Sequence, residues 1–399
     1  MGNPIRNPIV VEPDKEFVRE VMEAGGGDLK KCFQCATCAS TCSLSEEDAT
    51  FPRKQMLMAQ WGLKNELLKD PAPWLCCYCG ECSKTCPRQA NPGETMMALR
   101  RYLTTQYDWT GLSRLMYSSA AWELGILALV AAIVVALFTL PQSFGFGLLS
   151  HSGPLPLAKV MLDKFAPKEI VHIGDAIMAA MLSLLLLINA ARMFIGLTRD
   201  EHIPASLYFT QIGTLILHGV TQLQWKNCND SDASRNWIRH LFLVSGYATI
   251  FTLVVVFLPW FQVEDSSFHW TSILGYYSTV VLLVTTAWMV LDRINLRTEM
   301  HRFSHLSDWL FPILLFLTAM TGILVNVFRL LNLPMPTYVM YVVHMAIAVP
   351  MLVVEVPFGK WSHLLYRPLG IFVASVQRKA LESASAERAA AGQALASND

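Results

Sequence analysis

Eight cysteines stand in two runs of one spacing. Cys32, Cys35, Cys38 and Cys42 form the first, Cys-x2-Cys-x2-Cys-x3-Cys; Cys76, Cys79, Cys82 and Cys86 form the second, followed by Pro87. Loops so spaced wrap three thiolates around one [4Fe–4S] cubane and send the fourth to a neighbouring cluster. That rule assigns Cys32, Cys35, Cys38 and Cys86 to one cluster, and Cys76, Cys79, Cys82 and Cys42 to the second. Each cluster then ties both runs together. Zinc is the competing chemistry, but its sites come as separated Cys-x2-Cys pairs. Cys77 and Cys228 lie outside the runs. Cys77 reads as a packing residue and Cys228 as a lone structural thiol, with no disulfide expected in a cytoplasmic domain.

Histidines are the second candidate ligand set. Ionisable groups at membrane depth are costly and serve function, and bis-histidine haem is a natural use of imidazole in a helix bundle. His344 lies within a long apolar run, seven residues from its outer end, about 10 Å deep at about 1.5 Å per residue. A haem role is expected, with His172 as the best available partner and His269 as its rival. His240 and His363 both fall at the inner ends of spans and are expected to share an inner haem. Quinol oxidation also needs a proton acceptor beside a haem edge. Lys168, Glu169 and Asp175 cluster with His172 on the outer side; His218 and His305 are the inner candidates. The denser outer cluster is favoured.

These residues need elements to hold them. The chain has 399 residues, 53% hydrophobic and only 16% charged, with mean hydropathy +0.37; soluble chains carry about 25% charge. Residues 1–110 hold 27 of the 62 charged residues and nine of the ten cysteines. A polar head therefore precedes a membrane body. Helices are expected over 14–27 (stopped by Gly25, Gly26 and Gly27), 51–69 and 93–107, and no stretch alternates like a strand. Six apolar runs are long enough to span: about 120–140, 171–195, 239–260, 270–291, 307–330 and 337–357. A seventh segment, 206–225, is amphipathic, with Thr210, Gln211, Thr214, His218, Thr221 and Gln222 on one side, and reads as a helix in the interface. From Arg199 on, eleven basic residues fall in inner loops and tail, against four in outer loops (Lys159, Lys164, Lys168 and Arg329). That bias places both termini in the cytoplasm, and the membrane expected is the cytoplasmic (inner) membrane of a prokaryote. The domains are 1–112 (head), 113–375 (membrane body) and 376–399 (polar tail). The N-terminus has no apolar signal-peptide core. Zero net charge suggests no nucleic-acid partner.

The twin cysteine runs resemble the C-type subunits of heterodisulfide reductases. The segment from His344 through PFGKWSH (357–363) resembles the last helix of the cytochrome b subunits of respiratory nitrate reductases, a fold shared by heterodisulfide reductase E-type subunits. In those cytochromes, two histidines flanking a similar Pro-Phe motif each bind a different haem b. Both parts in one chain resemble the C-type subunit of quinone-interacting membrane-bound oxidoreductase (Qmo) complexes. The resemblance implies an all-α protein: an α-helical ferredoxin domain with two [4Fe–4S] clusters, then a six-helix transmembrane cytochrome b bundle with two haems b. It implies menaquinone as substrate, flavin-containing iron–sulfur subunits as partners and adenylylsulfate reductase beyond them. The chain departs from the pattern in two places. Residues 250–254 read Ile-Phe-Thr-Leu-Val where the nitrate reductase cytochrome carries an outer-haem ligand, and Ser43 follows Cys42 where Pro is common.

The function expected is electron transfer between the quinone pool and soluble flavoprotein subunits, performed only within a complex. Gly25, Gly26 and Gly27 follow no strand, so no dinucleotide fingerprint is present. The alternatives are the equivalent subunit of another heterodisulfide reductase-like membrane complex and a membrane redox sensor. A sensor needs an output domain, and no remaining segment is long enough to form one.

Overall fold

Glycine and proline cut the head into short helices. α1 (Lys15–Val21) opens at Asp14, whose Oδ1 accepts the Phe17 N–H at 3.0 Å. A π-turn, Met22–Gly26, carries it to a stop at Gly25, φ +113°. α2 (Thr37–Thr41) follows the first cysteine pair. The single helix expected over 51–69 is two, α3 (Arg53–Gln60) and α4 (Lys64–Leu68). Gly62 separates them at φ +70°, and a Cβ there would stand 2.7 Å from the Asp14 nitrogen. The close approach of two backbones, not composition, breaks the helix. α5 (Ala72–Leu75) and α6 (Glu81–Lys84) bracket the second cysteine pair. α7 (Pro92–Tyr107) starts with proline in its first turn and runs buried through the head. α8 (Leu112–Ser118) leads to the bundle.

The computed structural model describes residues 12–47, 49–139, 157–200, 203–228, 233–261 and 269–396, and among these there is no strand. Six helices are long and apolar enough to cross a membrane: α9 (Ala120–Thr139), α11 (Lys168–Thr198), α13 (Ala233–Val255), α15 (Trp270–Ile294), α16 (Leu306–Leu330) and the segment Pro334–Phe358. The last is α17 (Pro334–Pro350), a π-turn at Met351–Glu355 and a short α18 (Val356–Phe358). Two single turns, α10 (Leu162–Phe165) and α14 (Leu258–Phe261), cap the far end. His151 and His202 lie outside the described residues. Ile177, Leu184, Leu187 and Val280 point outward, mostly exposed, as lipid-facing side chains should be.

α12 (Ala205–Thr221) is not among the six. It lies along α19 (His363–Ala396), where the Ser375 hydroxyl donates to Gln211 Oε1 at 2.7 Å. Tyr208 and Leu215 pack inward while Phe209, Ile216 and Val220 stay exposed. The expected two-sided helix is present, and its apolar side is shared between protein core and surroundings.

The head is fused to the bundle by a common core. Trp74, Leu99 and Leu103 of the head pack with Met193, Tyr366 and Val373 of α11 and α19. Gly370 lies against Trp74, where a Cβ would stand 2.6 Å from the Trp74 Cβ. A buried ion network crosses the same seam. Arg101 Nη1 donates to Glu94 Oε1 at 2.7 Å and to the Ala24 carbonyl at 2.7 Å, and Nη2 donates to Asp308 Oδ2 at 3.1 Å. Lys360 pairs with the other Asp308 oxygen, and the Tyr78 hydroxyl donates to Glu94 Oε2 at 2.6 Å. The charges are matched donor to acceptor, the condition under which a buried pair holds position rather than costing stability.

Candidate redox centres at the seam of head and bundle

The two cysteine loops have one backbone conformation. Gln34 and Ala36 take φ +58° and +68°; Tyr78 and Gly80, at the matching places, take +58° and +88°. Each loop then enters a short helix, α2 or α6, from a left-handed residue. The turn aims backbone N–H groups at sulfur: Gln34 N to Cys32 Sγ at 3.4 Å, Tyr78 N to Cys76 Sγ at 3.3 Å. Ala90 N does the same to Cys86 Sγ at 3.4 Å. Such donors stabilise thiolate charge.

The fold gathers the eight thiols into two groups. Cys32 and Cys38 feel the charges of Cys35 and Cys86; Cys42 and Cys82 feel foremost those of Cys76 and Cys79, and less that of Cys38. Burial pushes the Cys38 and Cys42 thiols up to about 11, and Cys82 well above its usual range. Iron binding must therefore displace a proton from each. Among the described residues, no three His, Cys, Asp or Glu side chains converge on a single metal ion. A cubane spreads its thiolates over four irons, and the groups present fit that donor set. The first group reaches the surface, since Cys35 is exposed and Phe33 is 68% exposed beneath Arg88.

On the bundle side of the second group lies a histidine site. The Trp225 ring stands 5.5 Å from the His240 ring, and the Arg367 guanidinium covers the same indole at 5.0 Å. His363 is one helical turn before Arg367 and within reach of the His240 charge. Its Nδ1–H donates to the Lys360 carbonyl, which frees Nε2 as a ligand and fixes the tautomer. Burial holds the His363 imidazole far below its usual range, at about 3, so it is the neutral, iron-binding form. His240 Nδ1 is buried with no hydrogen-bond partner. Arg367 is buried too, with Nε and Nη2 unpartnered. Burial and the neighbouring Arg100 pull it down to about 9, while Cys76 opposes them. Two histidines with free nitrogens and an unanswered cation fit a haem with its carboxylates. His218 Nδ1 is likewise buried without a partner, near Arg367.

The half of the bundle away from the head holds a cavity of about 330 Å³, lined by Ile250, Ser278, Thr318, Tyr341, His344 and Asp175. The His344 ring lies across Gly322, where a Cβ would come within 3.2 Å of Cε1. Thr321 Oγ1 donates to the Leu317 carbonyl at 2.7 Å and so accepts from His344 Nδ1 at 3.0 Å. Among the described residues, His344 is the single histidine on the wall. His172 lies on α11 off the face that lines the cavity, and His269 is off it as well. A histidine pair for an outer haem is not assembled here. Of the outer cluster, Lys168 and Glu169 are exposed and only Asp175 is buried at the cavity. His305 caps α16 by accepting the Ser307 N–H at 3.2 Å.

The structure corrects the reading of two cysteines. Cys77 and Cys228 are not separate packing thiols; they form a disulfide with Cα atoms 6.4 Å apart. The turn Leu223–Asn227 docks on the second cysteine loop and brings the two together across 151 residues. Arg367 is a functional candidate that sequence reasoning does not single out. Its signal, a basic residue one turn beyond a candidate haem ligand, is visible only once the ligand is chosen.

A 4Fe–4S dicluster domain model matches residues 28–90. Similar proteins include a protein of Archaeoglobus profundus that is like the C-type subunit of heterodisulfide reductase, 38% identical over 97 residues, or 24% of this chain and 52% of that one. The C-type subunit of the H2:CoB-CoM heterodisulfide,ferredoxin reductase of Methanothermobacter thermautotrophicus is 41% identical over 76 residues, 19% of this chain and 41% of its own. Its counterpart in the ferredoxin:CoB-CoM heterodisulfide reductase of Methanosarcina mazei is 32% identical over 88 residues, 22% and 53%. The chain spans about half the length of the curated relatives it matches. No solved structure matches it. The head thus holds a 4Fe–4S dicluster domain similar to that of heterodisulfide reductase C-type subunits, joined, among the described residues, to six helices long and apolar enough to cross a membrane.

Proposed function

We propose that this chain is a Qmo-type membrane subunit that carries electrons between menaquinone in the bundle and soluble flavin-containing iron–sulfur partners at the head. Bound at the sites described, one haem b and two [4Fe–4S] clusters supply the one-electron carriers. His240 and His363 hold the haem iron, and Arg367 answers its carboxylates. Cys76, Cys79, Cys82 and Cys42 hold the cluster nearer the membrane; Cys32, Cys35, Cys38 and Cys86 hold the one nearer the surface. The observation that carries this reading is Arg367, which lies beside the histidine site and within the field of Cys76. A cation so situated serves both redox sites at once.

The outer cavity is the quinone site in this reading. It is apolar, with a few convergent polar groups, the usual character of a site for a neutral organic ligand. His344 accepts the quinol O–H through Nε2, its ring oriented by Thr321, and Asp175 takes or gives the proton. The surface around Phe33 and Arg88 receives the partner subunit. Membership of a chain ending at adenylylsulfate reductase rests on the likeness to Qmo complexes, as do the cytoplasmic position of the head and the prokaryotic inner membrane. The rival terminal acceptor is that of another heterodisulfide reductase-like complex.

The test is redox spectroscopy of the purified complex. His240→Ala and His363→Ala should each abolish the b-type signal. His344→Ala should keep it and lower quinol oxidation at least about tenfold, the scale for losing one positioned polar partner. A haem signal lost in His344→Ala would make His344 an iron ligand and remove the quinone from this cavity.

A further inference from the structure

Two acids in the bundle have no place in the scheme so far. Glu123, in the first turn of α9, is 1% exposed, and Glu355, closing the π-turn after α17, is 0% exposed. None of their four carboxylate oxygens has a side-chain partner; both oxygens of Glu123 are buried without any hydrogen bond, and Glu355 has only the Lys360 backbone N–H beside it. Their elements touch, and Glu355 lies within the field of Glu123. Val354 and Phe358, flanking Glu355, pack on Met116 and Leu127, so the surroundings are apolar. The basic side chains facing this end are hydrogen-bonded elsewhere, Arg101 to Glu94 and Asp308, Lys360 to Asp308 and Arg293 to Ser304, and Arg101 reaches Glu123 only through space. Two unpaired acids inside a membrane bundle cost stability that only function repays.

We propose that Glu123 and Glu355 form a proton-carrying pair linking the outer cavity to the seam beneath the head, an inference that rests on the quinone reading of that cavity. Met351 and Leu352, in the turn that ends at Glu355, form part of the cavity wall. On the other side, Tyr117 is buried within the field of both acids, and its ring stands 6.3 Å from His305. His305 lines a polar cleft of about 230 Å³ with Asp28, Asn91, Glu94 and Ser304. The Glu355 carboxylate folds over Gly359, where a Cβ would overlap Oε2. A π-turn widens the helix and frees such a side chain to swing, as π-bulges at functional sites do. In transfer, the quinol O–H breaks and its proton joins a carboxylate oxygen. The pair releases a proton toward Tyr117, His305 and the cleft, and the electrons leave separately to the haem. Asp308, Arg101, Lys360 and His305 are the charged and titratable groups that face the route.

The experiment uses the full complex, with the isosteric Glu355→Gln and Glu123→Gln and the conservative Glu355→Asp. Redox-induced infrared difference spectra should show a protonated carboxyl C=O band that shifts on reduction, sensitive to D2O, and lost in each Gln variant. The b-type spectrum and haem content should stay unchanged. Quinol oxidation should fall at least about tenfold in Glu355→Gln and recover in part in Glu355→Asp. A carboxyl band that is absent, or that persists in both Gln variants, overturns the pair. If His344→Ala slows quinol oxidation and Glu355→Gln does not, the pair fails while the cavity reading stands. If Glu355→Gln slows it and His344→Ala does not, the cavity reading fails, and the pair is overturned as a route from that cavity.

Discussion

At the residue scale, the cysteines were legible because their chemistry is written in local spacing. A run of eleven residues contains its own geometry, and the matching left-handed residues in the two loops are its consequence. Cys42→Ala should therefore damage the cluster built on the second run and spare the other, read by electron paramagnetic resonance with about eight irons per intact chain. Ala36 takes at φ +68° the place that Gly80 fills in the twin loop. Ala36→Gly should relieve about 1 kcal/mol of backbone strain and raise the temperature at which the visible iron–sulfur absorbance is lost. His344 was legible as a buried histidine but not its company, because company is set by which helix faces meet. Gly322→Ala should press on the His344 ring, whose Cε1 would stand only 3.2 Å from the new Cβ. Quinol oxidation should slow while the haem spectrum is unchanged. Arg367 and the pair Cys77–Cys228 could not be read from sequence: one needs the charge of a cofactor to explain it, the other a contact between segments 151 residues apart.

At the element scale, the six spans were legible within a few residues, since length and apolarity alone define them. Their packing was not. The expected helix over 51–69 broke at Gly62 because a distant backbone presses there, and the final helix runs from His363 to Ala396, packed on α12 and the head along its first part and exposed beyond it. The seam is the element with the largest energetic stake. Arg101→Met would strand Glu94 without its cation and leave Asp308 with Lys360 alone. Removing one partner of a buried pair costs about 3–5 kcal/mol. Limited proteolysis between 107 and 120 should accelerate accordingly, with the head released while the spans stay in the membrane.

At the scale of the whole molecule, the basic bias of the loops predicts a single topology. Reporter fusions after Asn332 should report the outer side, and fusions after Leu296 and Lys379 the inner side. An outer signal after Lys379 would mean that α12 crosses the membrane. The outer loops at 140–156 and 262–268, where the same prediction applies, lie outside the described residues.

Met300, in the turn between α15 and α16, closes over the second cysteine loop. A Cβ on Gly80 or Gly93 would come within 2.9 Å or 2.7 Å of its side chain. The loop it covers leaves the ribosome well before Met300 does. Scaffold proteins that deliver iron and sulfide therefore have an interval during translation when the loop is open, and it shuts when the fifth span folds in behind. A chain that completes synthesis in iron-starved cells has lost that interval. It would be repaired by new synthesis rather than by later loading.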